Sequence, residues 1–438
     1  MKKLILSVMF LLCLSLVSAT DLTACGEITS LGEYILLNDV NSEGRCFNIV
    51  SDDVVLDCNG YQIIYAELND GGQGILVDHA ENVEIRNCNI ITHATYAGAA
   101  MNFFHSPNGY VHHNVIDNTA TYGAPYGTYA MHSPNMIIDS NTYNNNDNAG
   151  VWINEGSNNA RITNNVVRPI HSTGVKGIKI STDSDELLIS GNDIITGGHG
   201  GHGVVLDRSP SDAEMRNSVV ENNVIVVNGD AGGISLDTGV IDSIVRNNGI
   251  TVNHIDGNGV ALWSGNNRNN LVSNNIVSGE GTLFRNTIVD GSDSFVEYFN
   301  EHGKVKWKLD NFNTTRISLD DFTLENNLVG TNLVGNYENE IVGYDNIMIE
   351  MYNLPFDEIT TILKDGVECI DCSDMVYTSG SLTFTANTMG VFMVEGTEGE
   401  RGPDPKKMEL EQKIAAKEER LNTLLENKNK VKETRALL

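Results

Sequence analysis

The chain has 438 residues, with 42 Gly, 20% charged side chains and 7% aromatic ones. That length excludes a disulfide-held miniprotein, and few charges with many Gly and Asn argue for turn-rich β structure. A formal net charge of −30 repels polyanions, which excludes nucleic acid as the expected partner and suits Ca²⁺ instead.

Lys2-Lys3, an apolar run from Leu4 to Val17 and the small pair Ser18-Ala19 match the order of a secretory signal, assigned to residues 1–19 and taking Cys13 with it. No later apolar run approaches the roughly 20 residues that span a bilayer. The expected location is therefore secreted or cell-surface, without a membrane-spanning segment. Residues 20–66 are read as an N-terminal cap and the first turns of a repeating structure.

From 67 to 294 the chain repeats itself. One phrase, apolar, any, polar or Asn, Asn, any, apolar, appears as Val111-His112-His113-Asn114-Val115-Ile116 and Ile162-Thr163-Asn164-Asn165-Val166-Val167. It returns around Asn223, Asn248 and Asn275, more weakly around Asn141 and Asn192, and as Ile85-Arg86-Asn87-Cys88-Asn89-Ile90. The marker position recurs every 24 to 31 residues, the length of one β-solenoid turn. Gly and β-branched residues at this density exclude a helical array.

A second phrase precedes each copy: Gly150-Val151-Trp152-Ile153-Asn154, Gly177-Ile178-Lys179-Ile180-Ser181, Gly203-Val204-Val205-Leu206-Asp207 and Gly233-Ile234-Ser235-Leu236-Asp237. Its period-2 alternation predicts strands with one apolar face turned inward. Asn suits the corners, where the left-handed backbone is tolerated and amides pair along a stack.

These phrases resemble the repeats of right-handed parallel β-helix proteins, the pectate-lyase-like superfamily and the periplasmic β-helix proteins of the nitrous-oxide-reductase maturation type. The opening Cys25-Gly26, Gly32-Glu33-Tyr34, Cys46-Phe47-Asn48-Ile49 and Val54-Val55-Leu56-Asp57-Cys58-Asn59-Gly60 looks like the start of exported archaeal-type members. The resemblance runs from about Cys25 to about Phe284. It implies an all-β, right-handed parallel β-helix and leaves the activity open.

Without Cys13, six cysteines remain, an even number in an exported chain and therefore a disulfide set. Cys58 and Cys88 come after Asp57 and Asn87 at equivalent places, so they stack on consecutive turns. The ~4.8 Å strand spacing lies within the ~4.4–6.8 Å that a disulfide accepts. Cys25 pairs with Cys46, and Cys369-Ile370-Asp371-Cys372, after the turn Asp365-Gly366, reads as a structural clip.

Residues 295–395 alternate in short strands such as Ser381-Leu382-Thr383-Phe384-Thr385 and are read as a small β-sandwich-like module. Gly396, Gly399, Gly402, Pro403 and Pro405 mark 396–405 as a linker. In 406–438, Leu410, Ile414, Lys417, Leu421, Leu424, Lys428 and Val431 have the spacing of a coiled coil. A C-terminal α-helix that joins copies of the chain into a homo-oligomer and a solvated single helix both fit.

Residues at one register of successive turns become neighbours, so the outward columns of the Gly-led strands are the functional candidates. One column reads Asp78, Asn154, Ser181, Asp207, Asp237 and Trp263, with Phe104 and His132 filling in. The other reads Leu76, Asn102, Ala130, Trp152, Lys179, Val205, Ser235 and Ala261. Asp207 and Asp237 on adjacent turns would raise one carboxyl pKa, the arrangement for acid–base work on a glycosidic bond. Lys179 joins them as a catalytic candidate, with Trp152, Asn154, His202, Arg208 and Trp263 as substrate-binding candidates.

Gly201-His202-Gly203 resembles one motif of polygalacturonases, whose acidic motifs and Arg-x-Lys are missing. Asp207, Asp237 and Lys179 or Arg208 are of the residue types that pectate lyases use with Ca²⁺, again without a matching motif. Asp183-Ser184-Asp185-Glu186 is oxygen-rich enough for Ca²⁺ and equally a solvated turn. The expected partner is a polysaccharide or cell-envelope glycan, either bound in a structural or adhesive role or processed by a lyase or glycoside hydrolase.

Overall fold

The structure, a computed structural model, describes residues 19–397 apart from 69–70, 119–121, 124–125, 145–147, 169–173, 208–213, 264–266, 287–292, 300, 309–314, 318–321, 326–327, 332–346 and 388–389. The signal segment, Arg208 and the coiled-coil segment 406–438 lie outside the described residues.

Each turn of the repeat lays down three short strands, as Ala149–Asn154, Arg161–Thr163 and Val166–Arg168 do in one turn. Stacked turns build three long sheets of 16, 12 and 10 strands, parallel throughout the repeat. The result is a parallel β-helix, as the two phrases predict. Its period-2 strands turn Val and Ile inward in unbroken columns: Ile85, Val111, Ile138, Ile162, Ile189, Val220 and Val245 pair in register and are at most 1% exposed. Each such burial contributes ~1.5–3 kcal/mol.

The two Asn of the marker phrase have different tasks. The first turns the corner: Asn87, Asn164, Asn222, Asn247 and Asn274 take φ between 49° and 57°, the left-handed region that Asn tolerates. The second is buried and forms a ladder. In every link from Cys88 through Asn114, Asn141, Asn165, Asn192, Asn223 and Asn248 to Asn275, the backbone N–H donates to the next turn's Asn Oδ1 at 2.9–3.1 Å.

The leading Gly answers to close approach. A Cβ on Gly177, Gly203 or Gly233 would stand 2.5, 2.4 or 2.8 Å from the carbonyl oxygen of the corresponding Gly one turn on. No side chain fits between turns there.

The three disulfides are Cys25–Cys46, Cys58–Cys88 and Cys369–Cys372. Cys58 and Cys88 have Cα atoms 4.6 Å apart, one strand spacing, as their equivalent places require.

Past the repeat, the sheet continues while its direction changes. Phe295–Phe299 pairs parallel with Leu271–Ser273 and antiparallel with Gly303–Lys308, so the 16-stranded sheet runs on into residues 303–386. A separate five-stranded antiparallel sheet includes Glu358–Lys364 and Val391–Thr397. Phe384 of the first sheet and Phe392 of the second meet edge to face at 5.4 Å. The 295–395 region thus shares one of its sheets with the solenoid and adds a second. No helix among the described residues is long and apolar enough to cross a membrane.

Candidate functional site on the 12-stranded sheet

The Gly-led strands form the 12-stranded sheet, and their inward residues behave as the alternation predicts. Val151, Ile153, Ile178, Ile180, Val204, Leu206, Ile234 and Leu236 are all 0% exposed. The odd steps outward then set the candidate side chains on one face. Ser181 pairs in register with Asp207. Leu206 pairs with Leu236, and Asp237 N–H donates to Leu206 O at 2.7 Å. Asp237 therefore sits next to Asp207 on the adjacent turn, and Trp263, whose N–H donates to Leu236 O at 2.9 Å, occupies the turn after.

Both aspartates are half-buried. Burial, with the Asp207 charge adding to it and Lys176 opposing, pushes the Asp237 carboxyl up to about 6. This is the expected consequence of two carboxyls sharing a poorly solvated patch. Lys176 lies close enough to feel both aspartates, and Lys179 feels Asp207; burial lowers the pKa of each lysine, with Lys179 adding to the shift of Lys176.

Aromatic side chains continue the face toward the N-terminus. Lys179 Nζ stands 4.2 Å over the Trp152 ring, a cation–π contact between adjacent turns. Trp152 Nε1–H donates to Ser181 Oγ at 3.0 Å. Tyr126 and Tyr129 pack on Trp152 with centroids 4.7 and 4.9 Å away. At the other end, His202 Nδ1 accepts from Ser235 Oγ–H at 2.7 Å and from Gly232 N–H at 3.3 Å, which leaves the ring proton on Nε2. Burial first, then Lys176, pushes His202 down to about 4, with Asp230 opposing. Trp263 Nε1–H reaches the same Ser235 Oγ at 3.4 Å.

The predicted columns need two corrections. Tyr129, not Ala130, pairs with Asn102 and Trp152, while Ala130 points inward at 0% exposure. Met131, not His132, lies between Phe104 and Asn154; His132 is in the next bend at φ 50°, stacked on His105 at 4.5 Å. Counting ten residues back from the marker, the step that links Cys88 with Asp78 and Asn114 with Phe104, reaches Met131 from Asn141.

Other residues of these columns differ from their expected setting. Asn154 is 7% exposed and its Nδ2 donates to Tyr129 OH at 3.2 Å, so it supports that ring from beside it. Ser235 and Ala261, expected outward, are 0% exposed, with Trp263 and His202 reaching the Ser235 hydroxyl. Arg208 lies outside the described residues.

Sequence reasoning missed Lys176, Tyr126 and Tyr129. Lys176 and Tyr126 immediately precede the leading Gly of their strands and pair in one register through Ala149, as His202 precedes Gly203. The residue before each Gly is a third outward column, legible from the same repeat.

Asp185 spends its carboxylate within the chain, its Oδ1 accepting Arg216 N–H at 2.6 Å. Among the described residues, the group with metal-ligand spacing is Cys369, Asp371 and Cys372, and both of its sulfurs are in the disulfide.

The family model described as right handed beta helix region matches residues 53–176. No curated protein matches the chain. Among solved structures, a mutant tailspike protein of E. coli bacteriophage HK620 in complex with a pentasaccharide is 9% identical over 86% of this chain and 85% of that one, TM-score 0.43. The Dettilon tailspike protein is 13% identical over 86% of each chain, TM-score 0.43. A mutant of a periplasmic alginate epimerase is 15% identical over 63% of this chain and 75% of that one, TM-score 0.40.

Proposed function

We propose that the chain is an exported protein that holds a polysaccharide along the outer face of its 12-stranded sheet and acts on a glycosidic bond at Asp207 and Asp237. The observation that carries this reading is the adjacency of the two aspartates on consecutive turns, with Asp237 raised to about 6 beside two lysines and between Trp152 and Trp263. A carboxyl of that kind holds its proton in mildly acidic solution and gives it to the leaving oxygen, while Asp207 serves as the second carboxylate. Lys176 and Lys179 supply local positive charge for a uronate carboxylate on a surface that is otherwise acidic. Trp152 and Trp263 offer faces for sugar rings.

Binding without turnover is the second reading, favoured by the Tyr126, Tyr129 and Trp152 track, which recognises a glycan without the aspartates. Incubation of the purified chain with polygalacturonate, alginate and hyaluronate, with and without Ca²⁺, separates the two. New reducing ends that disappear in Asp237→Asn support hydrolysis. Ultraviolet-absorbing unsaturated products move the assignment to a lyase with Lys179 as base. Retardation in gels containing the polymer, with no products, leaves binding alone, and neither retardation nor products overturns the glycan reading.

A further inference from the structure

The last strands of two different sheets come together at the Cys369–Cys372 disulfide. Among the described residues, Val367–Glu368 ends the five-stranded sheet and Cys372–Thr378 ends the 16-stranded one, and the disulfide ties the end of the first to the start of the second. Val367, Ile370, Met375 and Val376 stand there 67, 96, 56 and 60% exposed. Apolar side chains clustered in this way mark an interaction surface, and sheet edges beside them are of the kind that native proteins cover. We propose that residues 406–438 of the same chain cover this patch.

Three observations name that occupant. First, the segment has an apolar stripe to bury: Leu410, Ile414, Leu421 and Leu424 recur at steps that fall on one face when the segment is helical. Second, the charges are complementary. From Asp365 to Thr378 the sequence holds Asp365, Glu368, Asp371 and Asp374 and no Lys or Arg, whereas 406–438 holds nine Lys and Arg against six Glu in a chain of net charge −30. Lys364 already answers Asp371 at 2.8 Å, while Glu368 and Asp374 are exposed. A basic, apolar stretch of an otherwise acidic protein suits an acidic, apolar patch. Third, the segment reaches. Thr397, the last described residue, ends Val391–Thr397, two strands from Val367–Glu368 in the same sheet. Phe392 pairs with Lys364 and Lys364 with Val367, so Thr397 lies ~17 Å along the strand and ~10 Å across from Val367, ~20 Å in all. The chain between Thr397 and Lys406 spans up to ~29 Å, enough to bring Lys406 to the patch. A tether that short sets an effective concentration on the order of millimolar, which favours the segment of the same chain over that of a second copy.

Met375 reports the cover. In the full chain, oxidation by hydrogen peroxide followed by peptide mass spectrometry reads its rate, with Met348 on the inner strand Ile347–Met351 as the reference. A segment docked about nine-tenths of the time slows Met375 about tenfold. Leu421→Lys with Leu424→Lys, which removes two apolar anchors of the segment, restores the fast rate. Ile370→Lys, which leaves the segment untouched, does the same from the other side of the contact, and circular dichroism confirms that both variants fold. A Met375 rate equal in the parent and both variants overturns the proposal. A rate that falls as the protein concentration rises shows a second copy as the cover and overturns the assignment to the same chain.

Discussion

Asp237 stands one turn beyond Asp207, held there by its backbone N–H on Leu206 O at 2.7 Å. Its folded-state pKa, about 6 against an ordinary 3.8, lies above the unfolded value, so the folded chain holds this proton more tightly. The resulting stabilisation is fully present below pH 3.8 and is lost as the pH rises to about 6. Asp237→Asn is therefore expected to unfold with a shallower pH dependence across that window. At pH 7 it should be more stable than the parent by ~1 kcal/mol, a figure reduced for solvent screening of a half-buried group. Urea unfolding of both proteins from pH 4 to 7 checks this, and a parallel loss of turnover or glycan binding separates a site from a strained surface.

His202 acts with the opposite sign. Its pKa is pushed down to about 4 from 6.5, so its stabilising contribution is complete above pH 6.5 and is lost as the pH falls toward 4. His202→Gln keeps an acceptor for Ser235 and removes the titration. Its acid unfolding should begin at lower pH than the parent's, with ~2 kcal/mol recovered at pH 4. The imidazole resonances in a proton NMR titration locate the same pKa directly. A ring that titrates near 6.5 contradicts the buried, Nε2-protonated state.

Much of this architecture is legible from residues alone because the repeat reports on its own geometry. Asn165 and its equivalents recur once per turn since only a buried amide satisfies both neighbouring turns, and Val151 or Leu206 recur since each stacks on its like. The aspartate pair emerges from those registers by counting outward. What escapes is whatever lacks the Gly-led phrase or depends on covering side chains. Tyr129 takes the place given to Ala130 although it stands twelve residues before Asn141, as Asn102 does before Asn114, and Ser235 is buried because Trp263 and His202 reach across from other turns. Lys176 sits one position ahead of the Gly taken as the start of its strand, although the strand begins with it at Lys176–Ser181.

The ladder amide predicts a sharp contrast between neighbours. Asn165 Oδ1 accepts from both the backbone N–H and the side-chain amide of Asn141, and its own Nδ2 donates to Ile138 O and Asn192 Oδ1. Asn165→Ala leaves these groups unmet at a site 0% exposed and should cost ~3 kcal/mol or more. Asn164→Ala loses the tolerance for φ 54° and an exposed hydrogen bond from its Nδ2 to Asp139 Oδ1 at 2.9 Å, and should cost ~1–2 kcal/mol. Chemical denaturation of the two variants side by side measures the difference, and equal costs would sink the ladder as a source of stability.

The N-terminal turns depend on a covalent version of the same stacking. Cys58 and Cys88 take the marker place that Asn fills from Asn114 onward, and their bond closes a 30-residue separation, against 3 for Cys369–Cys372. In the chain-entropy account the longer loop is worth ~3–4 kcal/mol and the short one clearly less. Cys58→Ser with Cys88→Ser should therefore lower the denaturation midpoint much more than Cys369→Ser with Cys372→Ser. Hydrogen exchange should localise the loss to the strands Val54–Asp57 and Glu84–Arg86, which the bond holds in register. Because Cys88 N–H still donates to Asn114 Oδ1, the ladder from that point on should keep its protection. Uniform loss along the whole solenoid would show instead that the turns unfold as one cooperative unit, with the disulfide acting on all of them.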